Sequence, residues 1–218
     1  MLYASVALML ALLPGCELIT GPEKDIAATL KAREGVTSFE LPGVGTVQTD
    51  RLVFDRLLVK PENDAFTAVA TVDLDGRVGE QRVSYIGFER IPFERRDGRQ
   101  QPKGSLAPNL ADILSALRAR ASAFSRGDAQ AYAELLAEGW EEESISREAL
   151  IARLERDFAR GPRATLRPTA WVIRNEREGA TVTEEFEVVL EGQPPHQARG
   201  RYLLKREGGR FRFASGLR

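Results

Sequence analysis

Residues 124–140 read FSRGDAQAYAELLAEGW, and the fold of the second half turns on them. Arg126-Gly127-Asp128 is either an adhesion tripeptide or the joint between two helices. The flanks favour a joint. Upstream, Leu110, Ile113, Leu114, Leu117 and Ala121 recur at helical spacing. Gly127 is a helix stop and Asp128 an N-cap for a second helix, AQAYAELLAEG. Arg126 is then a solvated side chain. A third helix follows Ser146, with Leu150, Leu154 and Phe158 on one stripe, and Gly161-Pro162 ends it. Four strand-like runs complete the half: TLRPTAWVIRN, ATVTEEFEVVLEG, HQARGRYLLKR and RFRFASGL.

The first half reads differently. EKDIAATLKARE is a short amphipathic helix with Ile26 and Leu30 on one face. TDRLVFDRLLVK is a strand with one slip in its alternation. FTAVATVDL and RVSYIGFERIPF are further strands, with Asp75-Gly76 read as the hairpin turn between them and Arg96-Asp97-Gly98 as another. Pro, Gly and polar residues in RQQPKGSLAPN mark a linker.

Residues 1–16, MLYASVALMLALLPGC, are apolar almost throughout and carry no charge. The run is too short for a bilayer span, which takes about 20 residues, and it fits the core of a secretory signal peptide. Leu13-Pro14-Gly15-Cys16 resembles a bacterial lipobox. That resemblance implies a diacylglyceryl group on the Cys16 thiol and cleavage before it. The expected organisation is a lipoprotein signal peptide over 1–15, a tether over 16–24, a small α+β domain over 25–99, a linker over 100–107 and a second domain over 108–218. The protein is then expected on the periplasmic side of the inner or outer membrane, with the lipid bilayer as a partner through acylated Cys16.

Three helices, a Gly-Asp turn and an aromatic on either side of it (Phe124, Trp140), followed by strands, are similar to the NTF2-like superfamily, also called SnoaL-like. This likeness covers residues 108–218 and implies a cystatin-like α+β roll: a curved antiparallel sheet packed with helices around a cone. The fold class expected for the whole chain is α+β, with an antiparallel sheet in each half. A shift of 116 residues lays ATVDLDG (70–76) on FEVVLEG (186–192). An old duplication of a cystatin-like unit gives this pattern. So do two hairpins built with common turn chemistry, the reading favoured because the halves differ in helix number.

Composition narrows function. The formal net charge is −1 and the chain has one cysteine and one histidine. No intramolecular disulfide or multi-Cys/His zinc site can form, and neither half is basic enough to grip nucleic acid. His196 follows Pro194-Pro195 at a turn and reads as a solvated loop residue. EGWEEES (138–144) reads as a solvated acidic loop, and DLDG (73–76) lacks the third acid and closing Glu of a calcium loop. No cofactor, metal ligand or catalytic residue is assigned. Trp171, Phe186 and Tyr202 lie on strands and are the candidate lining of the cone, with plain core packing as the alternative for each. The favoured reading is a non-enzymatic binding or assembly module with a protein partner or an apolar small ligand. The alternative is a SnoaL-like isomerase or hydrolase. The resemblance also implies homodimerisation through the sheet, against which the Arg-rich run 199–213 argues.

Overall fold

The computed structural model describes residues 21–62, 65–143, 145–161 and 163–217. The segment expected to be a signal peptide, Cys16 and the start of the expected tether lie outside the described residues.

Helix α1 (Pro22–Arg33) opens the described chain with Pro22 at its first turn, and it buries Ile26 and Leu30. Strand β1 (Ser38–Leu41) turns into β2 (Gly45–Glu62), β3 (Ala65–Val78), β4 (Gln81–Arg96) and β5 (Arg99–Pro102), all paired antiparallel in sequence order. Helices α2 (Pro108–Arg126), α3 (Ala129–Ala133) and α4 (Arg147–Arg160) follow, with a small hairpin of β6 (Glu141–Glu142) and β7 (Ile145–Ser146) before α4. Strands β8 (Ala164–Asn175), β9 (Gly179–Leu190), β10 (His196–Glu207) and β11 (Arg210–Ser215) then form an antiparallel meander. The order of elements expected over 108–218 is the order found.

The two strand sets join. β4 pairs parallel with β8, from Arg82↔Ala170 to Gly87↔Asn175, so one curved, unclosed nine-stranded sheet runs from β1 to β11. A parallel pair needs a long crossover, and α2, α3 and α4 supply it. Helix α2 packs against β4, β8 and β11, and α1 against β2 and β5. One buried apolar cluster draws on both strand sets and on α2, including Leu74, Tyr85, Phe93, Leu114, Trp171 and Phe213. The opposite face of the sheet leaves Ile86 at 45%, Val172 at 50% and Leu203 at 38% exposure.

At the Gly-Asp joint, Gly127 caps α2 in the left-handed conformation (φ 66°), and the Asp128 carboxylate accepts the Ala131 N–H at 2.9 Å. Arg126 is exposed. The tripeptide is thus a helix joint. The slip expected in β2 is a register shift between Asp55 and Leu58, with Arg56 at φ 50°.

Three expectations need correction. Asp75-Gly76 lies inside β3, and the hairpin turn falls at Gly79 (φ 61°) instead. Gly76 stands where β2 shifts register; a Cβ there would sit 2.2 Å from the Gln48 carbonyl oxygen. The segment after Asp128 is helical only to Ala133, because its next backbone groups are claimed by β11: Phe213 N–H donates to Leu135 O and Ala137 N–H to Phe213 O. Residues 99–102 form β5 instead of irregular linker, and Ser105, Leu106 and Ala107 are buried.

Candidate functional site

Strand β9 sets alternate residues toward the helices: Ala180, Val182, Glu184 and Phe186. Glu184 is fully buried. Its Oε1 accepts the Trp171 indole N–H from β8 at 2.9 Å, and its Oε2 accepts the Tyr202 hydroxyl from β10 at 3.0 Å. Arg120 from α2 completes the set with an ion pair to Oε2. The guanidinium carbon lies 4.6 Å from the centre of the Tyr202 ring and 5.8 Å from that of Phe186, within range of cation–π attraction. Burial by itself would lower the Arg120 pKa, but the Glu184 carboxylate, Tyr202 and Tyr132 together more than offset this and hold it raised. Burial likewise pushes Tyr202 and Tyr132 up, against the pull of Arg120. The Arg120 Nε has no hydrogen-bond partner among the described residues.

The three aromatic residues expected to line the cone are therefore brought together around one charge pair. Trp171 and Tyr202 are buried and donate to Glu184, while Phe186 is half-buried beside Arg120. His196 is exposed at the start of β10.

A second buried carboxylate lies at the junction of the two strand sets. Glu89 of β4 accepts the Asn109 and Leu110 backbone N–H groups at 2.8 and 3.0 Å and the Tyr85 hydroxyl at 2.5 Å. It thus caps the first turn of α2, whose own flanking residue, Ala107, has no capping side chain. Burial pushes its pKa up to about 7, although the three donors and Arg206 oppose that rise. Asn175 of β8 donates to the Tyr85 hydroxyl at 3.2 Å and to the Phe88 carbonyl at 2.9 Å.

Both tyrosines reach their carboxylates by lying along the strand over a glycine. A Cβ on Gly87 would sit 2.3 Å from the Tyr85 hydroxyl oxygen, and one on Gly200 2.1 Å from that of Tyr202. Neither centre was identified from the sequence. The signal was present: Glu89 and Glu184 occupy inward steps of alternating strands, and Arg120 lies on the apolar stripe of α2.

A cavity of about 370 Å³ opens where the end of α2, α4 and the β8–β9 hairpin meet. Phe124, Leu154, Phe158, Ala164 and Leu190 line it, with Arg126, Asp157 and Arg163 also on its wall. The Phe124 and Phe158 rings meet edge to face at 5.5 Å. Asp157 pairs with Arg153 at 3.5 Å on the exposed side of α4. Among the described residues, no group of His, Cys, Asp and Glu is placed to hold a metal ion.

No family model matches the chain, and no curated protein matches its sequence. Solved structures resemble about half of it. A protein of unknown function from Mycobacterium tuberculosis superposes with a TM-score of 0.43 at 18% identity, over 50% of this chain and 76% of that one. A protein with a cystatin-like fold from Nostoc punctiforme gives 0.42 at 12% identity, over 47% and 84%. An NTF2-like protein of unknown function from Shewanella oneidensis gives 0.40 at 15% identity, over 49% and 95%.

Proposed function

We propose that this chain is a lipid-anchored binding module of a bacterial envelope, tethered through Cys16 and taking an apolar ligand or side chain between α2 and α4. The carrying observation is the contrast between two regions of the fold. Its titratable centre is closed, since Glu184 is fully buried and both its oxygens are engaged by Trp171, Tyr202 and Arg120. General acid–base work needs a group within reach of substrate. The cavity between the end of α2 and α4, by contrast, offers an aromatic and aliphatic wall around about 370 Å³, as small-molecule pockets do. The lipid anchor is supported by the Leu13–Cys16 motif directly after an apolar run.

A fluorescence titration with naphthol tests the binding reading. Saturable binding by the wild type, abolished by Leu154→Trp in a variant of unchanged circular dichroism, is the expected result. Absence of saturation, or binding that Leu154→Trp leaves intact, overturns it.

A further inference from the structure

The face of the sheet turned away from the helices carries a second feature, independent of the cone. A depression of about 420 Å³ across β8, β9 and β10 is lined by Arg174, Arg199, Arg201, Thr181, Thr183 and Val172. The register explains the grouping. Thr183 lies between Val172 and Arg201, and Thr181 between Arg174 and Leu203, across three adjacent strands. Arg199 and Arg201 are alternate residues of β10 and so point the same way. At ordinary strand spacing the Cα atoms of Arg174 and Arg201 are roughly 12 Å apart, which long guanidinium side chains bridge easily.

Some arginines elsewhere on this face are charge-paired, while among the described residues Arg77, like the patch, is not. Arg51 is paired with Asp73 and lies 3.7 Å from Asp75, and Arg82 is 3.5 Å from Glu185. Glu185 stands opposite Arg199 in register, at the edge of the depression. Among the described residues, the guanidinium groups of Arg174, Arg199 and Arg201 make no ion pair and no side-chain hydrogen bond, although their backbones are paired in the sheet. Arg174 and Arg201 carry like charge and stand opposite threonines, with no carboxylate across from either, and the two threonine hydroxyls add neutral donors. A tetrahedral oxyanion answers both features. It neutralises the cluster, and its oxygens accept from the planar forks and from the hydroxyls.

We infer that Arg174, Arg199 and Arg201, with Thr181 and Thr183, form a binding site for a phosphoryl group on the outer face of the sheet. The group comes either from a free phosphate or phosphomonoester or from a phosphodiester lipid headgroup. The site does not depend on the pocket between α2 and α4.

Isothermal titration of the full chain in neutral detergent, at fixed ionic strength, with inorganic phosphate and with glycerophosphoglycerol, tests this. Tighter binding of phosphate supports the site with a free phosphate or monoester as ligand. Equal or tighter binding of the diester supports it with a lipid headgroup. In both arms Arg174→Ala/Arg201→Ala is expected to weaken binding about tenfold or more. The control Arg153→Ala/Arg156→Ala removes the same charge from the exposed side of α4. Two results overturn the inference: neither probe binding up to about 10 mM, or the control pair weakening binding as much as the site pair.

Discussion

Arg120 on α2 and Glu184 on β9 form an ion pair with side-chain exposures of 5% and 0%. A pair so deep has little solvent to compensate the loss of either partner. Removing one side of a buried pair typically costs about 3–5 kcal/mol, whereas removing both charges together costs much less. Arg120→Met should therefore destabilise the chain by roughly that amount in urea unfolding. Adding Glu184→Gln to it should recover a large part, because the amide oxygen still accepts from Trp171 or Tyr202. Additive losses in the double variant would show that the two residues do not act as a unit.

Glu89 gives stability a pH dependence of known sign. Its folded pKa is about 7 against an ordinary 4.5, raised by burial. Between these values the folded state keeps a proton that the unfolded state has released. Stability from this group is therefore full below pH 4.5, falls as pH rises and levels off above about 7. The slope within that window is ~1.4 kcal/mol per pH unit. Glu89→Gln should flatten the window, and above neutral pH it should be at least as stable as the wild type. Parallel profiles for the two proteins would count against this assignment.

Tyr85 tunes that proton. Its hydroxyl donates to Glu89 and thereby lowers the carboxyl pKa against the burial effect. Tyr85→Phe removes the donor and should move the Glu89 titration upward, as read by carboxyl carbon chemical shifts. Gly87→Ala should act in the same direction, since a Cβ there meets the Tyr85 hydroxyl oxygen and the Asn175 Cβ. It should also destabilise by about 1–3 kcal/mol through overpacking. A downward shift in either variant would contradict the hydrogen bond as drawn.

Local chemistry made much of this fold legible before the structure. The Gly127 stop, the Asp128 cap and the Ser146 cap each act within three or four residues, so they could be read directly. The end of α3 at Ala133 could not, because it depends on β11 pairing with backbone some 78 residues away. Joining of the strand sets through β4 and β8 is likewise a long-range event, and no turn residue announces it. The carboxylates were missed for a different reason. A Glu inside an alternating strand looks like a surface residue until its partners are known. Glu184 is matched by Arg120, 64 residues away, and Glu89 by backbone N–H groups 20 and 21 residues away. Arg199 and Arg201 were legible within a basic run, but Arg174, on another strand, and the lack of partners were not.

On the proposed reading, Cys16 sets where the module works. Burying an acyl chain contributes about 0.8 kcal/mol per methylene, so two or three chains on one residue anchor stably where one does not. Among the described residues no helix is long and apolar enough to cross a membrane, and the lipid is the anchor this proposal requires. Cells grown with an alkyne-tagged fatty acid should label the wild-type chain, and its intact mass should correspond to a chain beginning at Cys16. Cys16→Ala should carry no label and keep its leader uncleaved. The label is the decisive readout, because an uncleaved apolar leader can itself hold a protein at a membrane. An unlabelled wild-type chain would sink the lipoprotein reading and leave the pocket between α2 and α4 and the outer-face arginines as sites of a protein held elsewhere.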